Sequence, residues 1–313
     1  MGTPDFAARI LEKLFQTDYE IVAVVTQPDR PVGRKKVLTP TPVKEVAIQH
    51  GVTVLQPEKL SQSLELEELL AMDIDLIITA AYGQFLPQVL LNHAKIDAVN
   101  VHASLLPKYR GAAPIHYAVM NGDTHTGVTI MRMIKQMDAG DMFARQSLEI
   151  QQQDTTGTLF EKLSHMGATL LMDTLPALIE RSITPQPQDE KQVSFAPAIT
   201  REQEQINWYQ PAYQVHNFIR GLCPFPVAYT LFEGNRYKIW QTELSLVKTD
   251  KPTVTIHTLN QKQVFIARGD VLALEVKTIQ PAGKGKMSVQ DFYNGFKEWI
   301  ANEPQFESSV TDE

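Results

Sequence analysis

The chain has 313 residues, of which 43% are apolar, 21% charged and 8% aromatic, with a formal charge of −7; these values fit two globular domains. They exclude disordered and collagen-like chains, and no apolar run reaches the ~20 residues that a membrane-spanning helix needs. The single cysteine, Cys223, excludes an intrachain disulfide and a cysteine-based zinc site, and the N-terminal residues lack a signal-peptide pattern, so we expect a cytoplasmic protein.

The first half of the chain alternates β-branched apolar runs with amphipathic stretches. Continuous apolar strands separated by helices predict an α/β domain with a mostly parallel sheet that is covered on both faces. Strands are predicted at 21–26, 52–55, 76–81, 97–102, 126–133 and 141–150. Helices are predicted at 6–15, 43–50, 64–72, 86–92 and 158–179.

The first residues read as a strand-to-helix turn. Gly2-Thr3-Pro4 is typical of the loop that follows a first strand, with proline leading into a helix. A doubly wound sheet without that strand leaves ladder hydrogen bonds open. We therefore expect that a first strand is missing ahead of Gly2.

The second half of the chain has a different pattern. Residues 184–188 are polar and contain prolines, which is typical of a linker. Short alternating strands follow and predict a small antiparallel β-barrel. They lie at 227–231, 236–240, 254–257, 264–267 and 271–276, with turns at 234–235 and 269–270. The predicted domains are residues 1–185 and 201–313, joined by a linker at 186–200.

The strongest candidate cluster lies where the strand at 97–102 ends. Asn100 and His102 are two residues apart, so alternation along a strand puts both side chains on one side. An amide can donate to a carbonyl oxygen that gains negative charge, and an imidazole can donate to it or move a proton. This pair suits acyl transfer, although on spacing alone a structural pair is the commoner explanation, with the asparagine capping the strand end and the histidine satisfied internally.

A second candidate is a carboxylate in the segment Met137 to Asp141. Asp138 and Asp141 flank a glycine turn between two predicted strands, where an Asx-turn is the usual structural explanation. Either aspartate could accept a proton from an attacking amine, and the sequence does not choose between them.

Other site types lack support or stay ambiguous. The chain has neither the histidine spacing of a metal site nor a glycine-rich nucleotide-binding motif, so we expect no metal. The basic run Arg34-Lys35-Lys36 could be a solvated surface charge, but prolines on both sides favour a long loop that projects from the body. Such a loop can bind phosphate although the whole protein is acidic.

Together these segments resemble the methionyl-tRNA formyltransferase family, within the wider group of formyltransferases that use 10-formyltetrahydrofolate. The resemblance covers essentially the whole chain. It rests on GTPDFA (2–7), TQPDRPVGRKK (26–36), AAYGQFLP (80–87), NVHASLLPKYRGAAPI (100–115), GVTIM (127–131), MDAGDM (137–142), PFP (224–226) and QPAGKGKM (280–287). It implies a Rossmann-like catalytic domain followed by an antiparallel barrel of the oligonucleotide-binding (OB-like) type.

The resemblance also implies a role for particular residues. The family's catalytic asparagine, histidine and aspartate fall on Asn100, His102 and Asp138, which favours Asp138 over Asp141. The implied folate contacts are Ser104, Leu105, Leu106 and Pro107, together with Tyr82, Gly83, Gln84, Phe85, Leu86 and Pro87. The implied tRNA contacts are Arg30, Arg34, Lys35 and Lys36, in an inserted loop at 27–44.

The implied reaction transfers a formyl group from 10-formyltetrahydrofolate to the α-amino group of methionine on initiator tRNA, in translation initiation. We expect a monomer with folate and initiator methionyl-tRNA as partners. One alternative is a folate-dependent formyltransferase that acts on an amino-sugar nucleotide; the basic loop and QPAGKGKM favour tRNA. Another is an RNA-binding protein with an inactive catalytic domain, which would not need Asn100, His102 and Asp138 together.

Overall fold

A computed structural model describes residues 1–33, 35–260, 263–267 and 272–309. The chain divides into two compact units. Unit 1 comprises Met1–Pro114, His125–Glu149 and Phe160–Pro197, and unit 2 comprises Ile115–Thr124, Ile150–Leu159 and Ala198–Glu313. The predicted fold class, a mostly parallel α/β core with a C-terminal antiparallel barrel-like sheet, is confirmed.

The strands described in unit 1 form two two-stranded sheets and a four-stranded sheet, and the four-stranded sheet carries Asn100 and His102. The strands are β1 (Val24–Val25), β2 (Arg30–Val32), β3 (Val37–Thr39), β4 (Val54–Leu55), β5 (Leu76–Thr79), β6 (Asp97–His102), β7 (His125–Arg132) and β8 (Met142–Glu149). Strands β1 and β4 pair in parallel, as do β5 and β6. The antiparallel hairpin of β7 and β8 then continues the order β5-β6-β7-β8, while β2 and β3 form a separate hairpin.

The α-helices described before residue 200 follow the predicted apolar spacing within a few residues, apart from the one at 114–120, which was not predicted. They are α1 (Asp5–Leu14), α2 (Pro42–Gln49), α3 (Leu64–Ala71), α4 (Gln88–Leu91), α5 (Pro114–Met120) and α6 (Thr156–Ile179). Local capping sets two of their starts, because the side chains of Thr41 and Ser63 accept hydrogen bonds from the first turns of α2 and α3. Helix α1 buries Phe6, Ile10 and Leu11, which recur at helical spacing.

Met1 and Gly2 lie between the ends of β1 and β5 and form hydrogen bonds to both segments. The Gly2 amide donates to the Val25 carbonyl at 3.0 Å, and the Ala80 amide donates to the Met1 carbonyl at 3.0 Å. A side chain at Gly2 would lie 2.7 Å from the Ala80 oxygen, so only glycine fits between the strands. A cavity of about 890 Å³ lies alongside, lined mainly by apolar residues of α1, β1 and β5 and the segments that lead into those strands.

Unit 2 is built on an antiparallel sheet of order β11-β12-β13-β10-β9, with β14 beside β13. Its strands are β9 (Tyr229–Phe232), β10 (Asn235–Lys248), β11 (Ile256–Asn260), β12 (Gln263–Ile266), β13 (Leu272–Gln280) and β14 (Met287–Ser288). The predicted turn at 269–270 lies outside the described residues. Helices α7 (Ala212–Gly221) and α8 (Val289–Ala301), which were not predicted from the sequence, pack on this sheet through a shared apolar core. None of the described helices is long and apolar enough to cross a bilayer.

Candidate active site

Strand β6 carries Asn100 and His102 at its C-terminal end. Asn100 pairs with Thr79 on one side and Met131 on the other, and His102 pairs with Thr129. The two side chains therefore lie on the same face, as the alternation along the strand predicts. His102 is buried and Asn100 is half-buried.

The neighbouring strand orients the Asn100 amide. The Thr79 hydroxyl donates to Asn100 Oδ1 at 2.8 Å. Within the described part of the chain, Asn100 Nδ2 has no hydrogen-bond partner, which leaves it available to an incoming oxygen. Thr79 was not predicted as a site residue. It lies in the predicted strand that precedes the Asn100 strand, and the pairing of these two parallel strands could have indicated it.

The His102 ring has one bonded nitrogen and one that faces a carboxylate. Nε2 lies 3.0 Å from the Tyr109 carbonyl oxygen. Because a carbonyl oxygen can only accept, Nε2 carries the proton of this bond. Nδ1 lies 3.7 Å from Asp138 Oδ2.

The geometry distinguishes Asp138 from Asp141. Asp138 Oδ2 accepts from the Gly111 amide at 2.8 Å and faces His102, and the side chain is 14% exposed. Asp141 instead lies 3.6 Å from the Arg132 guanidinium, and its side chain is 42% exposed. Asn100, His102 and Asp138, which we call the strand-end cluster, thus combine an amide donor, an imidazole and a carboxylate.

The segment at 186–196 borders the strand-end cluster, although the sequence pattern predicted only a linker there. The Ser194 carbonyl accepts from the Arg110 amide at 2.9 Å, and the Ser194 hydroxyl accepts from the Tyr109 amide at 3.0 Å. Gln188 bonds the carbonyls of Asp138 and Gly140, each at 2.8 Å. These contacts span up to 85 residues of sequence, so no local pattern predicts them.

The segment 104–107, predicted to contact folate, is fixed by hydrogen bonds to neighbouring residues. The buried Ser104 hydroxyl donates to the Lys108 carbonyl at 2.6 Å, and its carbonyl accepts from Thr129 Oγ1 at 2.7 Å. Leu106 and Pro107 are buried, whereas Leu105 is half-buried. A ligand here would meet Leu105 and main-chain atoms rather than the Ser104 hydroxyl.

The second predicted folate segment, 82–87, combines a buried tyrosine with an exposed phenylalanine. Phe85 is 68% exposed, while Leu86 and Tyr82 are buried. The Tyr82 hydroxyl has no hydrogen-bond partner among the described residues. Burial, with a smaller contribution from the Glu65 charge, raises the pKa of Tyr82 to about 12. Gly83 has a φ of +86°, and the Gln84 side chain accepts from the Leu60 amide, so these two residues fix the loop.

The predicted tRNA-binding loop is an exposed hairpin of β2 and β3. Arg30 pairs with Glu58 on the surface, and Lys35 and Lys36 are exposed. Arg34 lies outside the described residues. The apolar side chains of Val37 and Leu38 are exposed too. The structure does not bring this hairpin into hydrogen-bond contact with the strand-end cluster within the described residues.

The family models match both parts of the chain. Residues 1–175 match the model described as formyl transferase, and residues 198–297 match the model of the formyl transferase C-terminal domain. The methionyl-tRNA formyltransferase of Pediococcus pentosaceus is 54% identical over 299 residues, which cover 95% of this chain and 93% of that protein. The methionyl-tRNA formyltransferase of Enterococcus faecalis is 51% identical over 302 residues, covering 96% of each.

Solved structures share the fold at low identity. An N-formyltransferase from Helicobacter canadensis, in complex with folinic acid and dTDP-3-aminofucose, superposes with a TM-score of 0.68 at 18% identity, covering 90% of this chain and 97% of that one. HypX from Aquifex aeolicus, in complex with tetrahydrofolic acid, gives a TM-score of 0.61 at 18% identity, covering 81% of this chain and 44% of that one.

Proposed function

Because the chain belongs to the formyl transferase family, we propose that it transfers the formyl group of 10-formyltetrahydrofolate to the α-amino group of methionine on initiator methionyl-tRNA, in translation initiation. Relatives that are more than half identical over nearly the whole chain and carry the methionyl-tRNA formyltransferase name support this acceptor. The observation that carries the proposed chemistry is the strand-end cluster. His102 faces Asp138 there, and Asn100 Nδ2 has no partner among the described residues.

Asn100 stabilises the charge that develops on the formyl oxygen. Its Oδ1 accepts from Thr79, so Nδ2 points its two hydrogens away from that bond and toward an incoming oxygen. A donor that is oriented before the reaction stabilises an oxyanion without reorganisation during the reaction. His102 makes the second contact to that oxygen through Nδ1, because Nε2 already donates to Tyr109.

Asp138 moves the proton of the attacking amine. The methionyl nitrogen bonds to the formyl carbon, the bond from that carbon to folate N10 breaks, and the amine proton must reach N10. The Gly111 amide holds Asp138 Oδ2, which leaves Oδ1 to accept the amine proton and pass it on through water. The same carboxylate lies 3.7 Å from His102 Nδ1, so the imidazole and the carboxylate face the same reacting group.

The two folate segments fit a flat, polar heterocycle. The exposed Phe85 ring offers a stacking surface. The Tyr82 hydroxyl is buried without a partner in the described part of the chain, so we assign it to folate only on the basis of the family resemblance. Leu105 and the main chain of residues 104–107 are the groups that the other segment offers to a ligand. When bound, 10-formyltetrahydrofolate supplies the formyl carbon.

The exposed hairpin and its basic residues suit the negative acceptor stem of a tRNA. Lys35 and Lys36 have no salt-bridge partner among the described residues, so they are free to neutralise phosphates. We assign the same role to Arg30 and Arg34 on the basis of the family resemblance.

Parallel formyl-transfer assays test the proposal. Purified protein is incubated with labelled 10-formyltetrahydrofolate and either methionylated initiator tRNA, uncharged initiator tRNA or an amino-sugar nucleotide. We expect label only on the methionylated tRNA. Label on the sugar alone would identify a sugar formyltransferase, and tRNA binding without any transfer would indicate an RNA-binding protein.

A further inference from the structure

The main chain of Asp138 adopts a conformation that needs outside support. Its φ is +50°, in the left-handed region that residues other than glycine seldom occupy. Such a conformation persists only where the surrounding structure holds it. The carboxylate that faces His102 projects from this backbone, so whatever holds the turn also directs the carboxylate.

Gln188 holds the turn through both of its amide hydrogens. Nε2 donates to the Asp138 carbonyl and to the Gly140 carbonyl, each at 2.8 Å. On its other side the turn packs closely against β7. A Cβ atom at Gly140 would lie only 2.0 Å from the Arg132 carbonyl oxygen, so there is no space into which the turn could move. The turn of residues 138–140 is thus fixed between β7 and Gln188.

Arg110 in turn fixes the Gln188 amide. Its Nε and one terminal nitrogen donate to Gln188 Oε1 at 3.0 and 2.9 Å, so the amide uses both hydrogens and its oxygen and cannot flip without breaking these bonds. The Arg110 side chain is only 2% exposed, and its outer edge pairs with Glu190 at 2.8 Å.

Arg110 also lies between two residues whose main chains hold the cluster. The Tyr109 carbonyl accepts from His102 Nε2, and the Gly111 amide donates to Asp138 Oδ2. Tyr109, Arg110 and Gly111 are consecutive, and they orient the His102 imidazole, the Gln188 amide and the Asp138 carboxylate, respectively. A displacement of any one of them changes the separation between His102 and Asp138.

We propose that Gln188 and Arg110 are positioning residues that keep the Asp138 carboxylate directed at His102 for proton transfer. This inference rests on the proposed function, since it assigns them to the transfer step rather than to folding or to the binding of either substrate. Neither residue touches the reacting atoms: Arg110 acts through Gln188, and Gln188 acts through the Asp138 main chain.

Two variants test the role of Gln188. Gln188→Glu keeps the size and the contact with Arg110 but removes the donors to the Asp138 and Gly140 carbonyls, and Gln188→Met removes every polar contact at similar size. We expect kcat to fall about tenfold to a hundredfold in both, the cost of a small misplacement of a catalytic group. The KM values for folate and tRNA should stay within about twofold, because neither binding surface is altered.

Hydrogen exchange at the Gly111 amide measures the carboxylate position directly. This amide donates to Asp138 Oδ2, so its exchange should become about tenfold faster in both Gln188 variants while the amides of β7 stay protected. Gln192→Met is the matched control, since Gln192 is exposed in the same segment and bonds Asp189 instead of the turn. It should leave both kcat and the exchange of Gly111 unchanged.

The outcomes separate this inference from the proposed function. An unchanged kcat, a rise in KM alone or unchanged Gly111 exchange in folded Gln188→Glu would overturn the positioning role while wild-type formyl transfer still stands. Absence of transfer by the wild type, or full activity of Asp138→Ala, would instead refute the proposed function or its catalytic carboxylate. Thermal unfolding of each variant shows which of them fold, and Gln188→Glu keeps an acceptor for the Arg110 side chain.

Discussion

The strand-end cluster and the β2–β3 hairpin differ in how much of the protein holds them. His102 and Asp138 are buried or nearly so, and main-chain groups of Tyr109 and Gly111 fix their orientation. Among the described residues, β2 and β3 pair as strands with each other alone, and the hairpin exposes both its charges and its apolar side chains. Catalytic groups that are fixed in position suit a reaction in which small displacements of these groups lower the rate. An exposed hairpin suits the binding of a large, charged partner. Changes in the cluster should therefore alter the rate, and changes in the hairpin should alter tRNA affinity.

The largest expected effect is on the rate, at Asn100. Asn100→Ala removes the amide that Thr79 orients, and we expect kcat to fall by about 10²–10³, the usual loss for one oxyanion donor. Single-turnover formyl transfer to methionylated initiator tRNA measures the effect. Binding of folate and tRNA should be retained, and a near-wild-type rate would remove Asn100 from the mechanism.

Thr79 gives a smaller test of the same idea. Thr79→Val keeps the shape but removes the hydroxyl that bonds Asn100 Oδ1, so the amide can rotate and kcat should fall about tenfold. Thr79→Ser, which keeps the hydroxyl, is the matched control and should stay within about twofold of the wild type. Equal rates for the valine and serine variants would show that the hydroxyl does not orient the amide.

The hairpin should give the opposite signature. Replacing Lys35 and Lys36 together by Ala should weaken tRNA binding and lower the slope of log affinity against log salt by about 0.7 to 0.9 for each phosphate that the protein no longer neutralises. Folate binding and the rate at saturating tRNA should not change. A lower saturating rate with an unchanged salt slope would break the division between the two regions.

Sequence patterns predicted the cluster only where local geometry determines it. Asn100 and His102 share a face because side chains alternate along β6, and that could be predicted from their spacing. The choice between Asp138 and Asp141 could not, because it depends on a left-handed backbone at Asp138 and on an ion pair between Asp141 and Arg132. Gln188 was missed for the same reason: its bonds to the turn join residues 50 and 48 positions apart.

The fold shows the same limit. Apolar periodicity predicted most strands and helices of unit 1 within a few residues, because each buries one face or stripe. Helices α7 and α8 were missed, although both bury apolar residues at helical spacing, since the short strands around them dominated the interpretation of that part of the chain. The strand predicted at 21–26 is regular only at Val24–Val25, where it pairs with β4.

The smallest expected effect concerns Tyr82, which lies outside the strand-end cluster. Its buried hydroxyl has no partner among the described residues, and an unpaired buried polar group costs free energy of folding. Tyr82→Phe should therefore raise the free energy of unfolding by about 1 kcal/mol without ligand, as measured by chemical denaturation. If folate satisfies the hydroxyl, the same variant should bind folate more weakly while kcat at saturating folate is unchanged. Tyr19→Phe is the control, since Tyr19 is exposed and should change neither quantity. A loss of stability in Tyr82→Phe would instead mean that the hydroxyl is already bonded in the free protein, and that its role is structural.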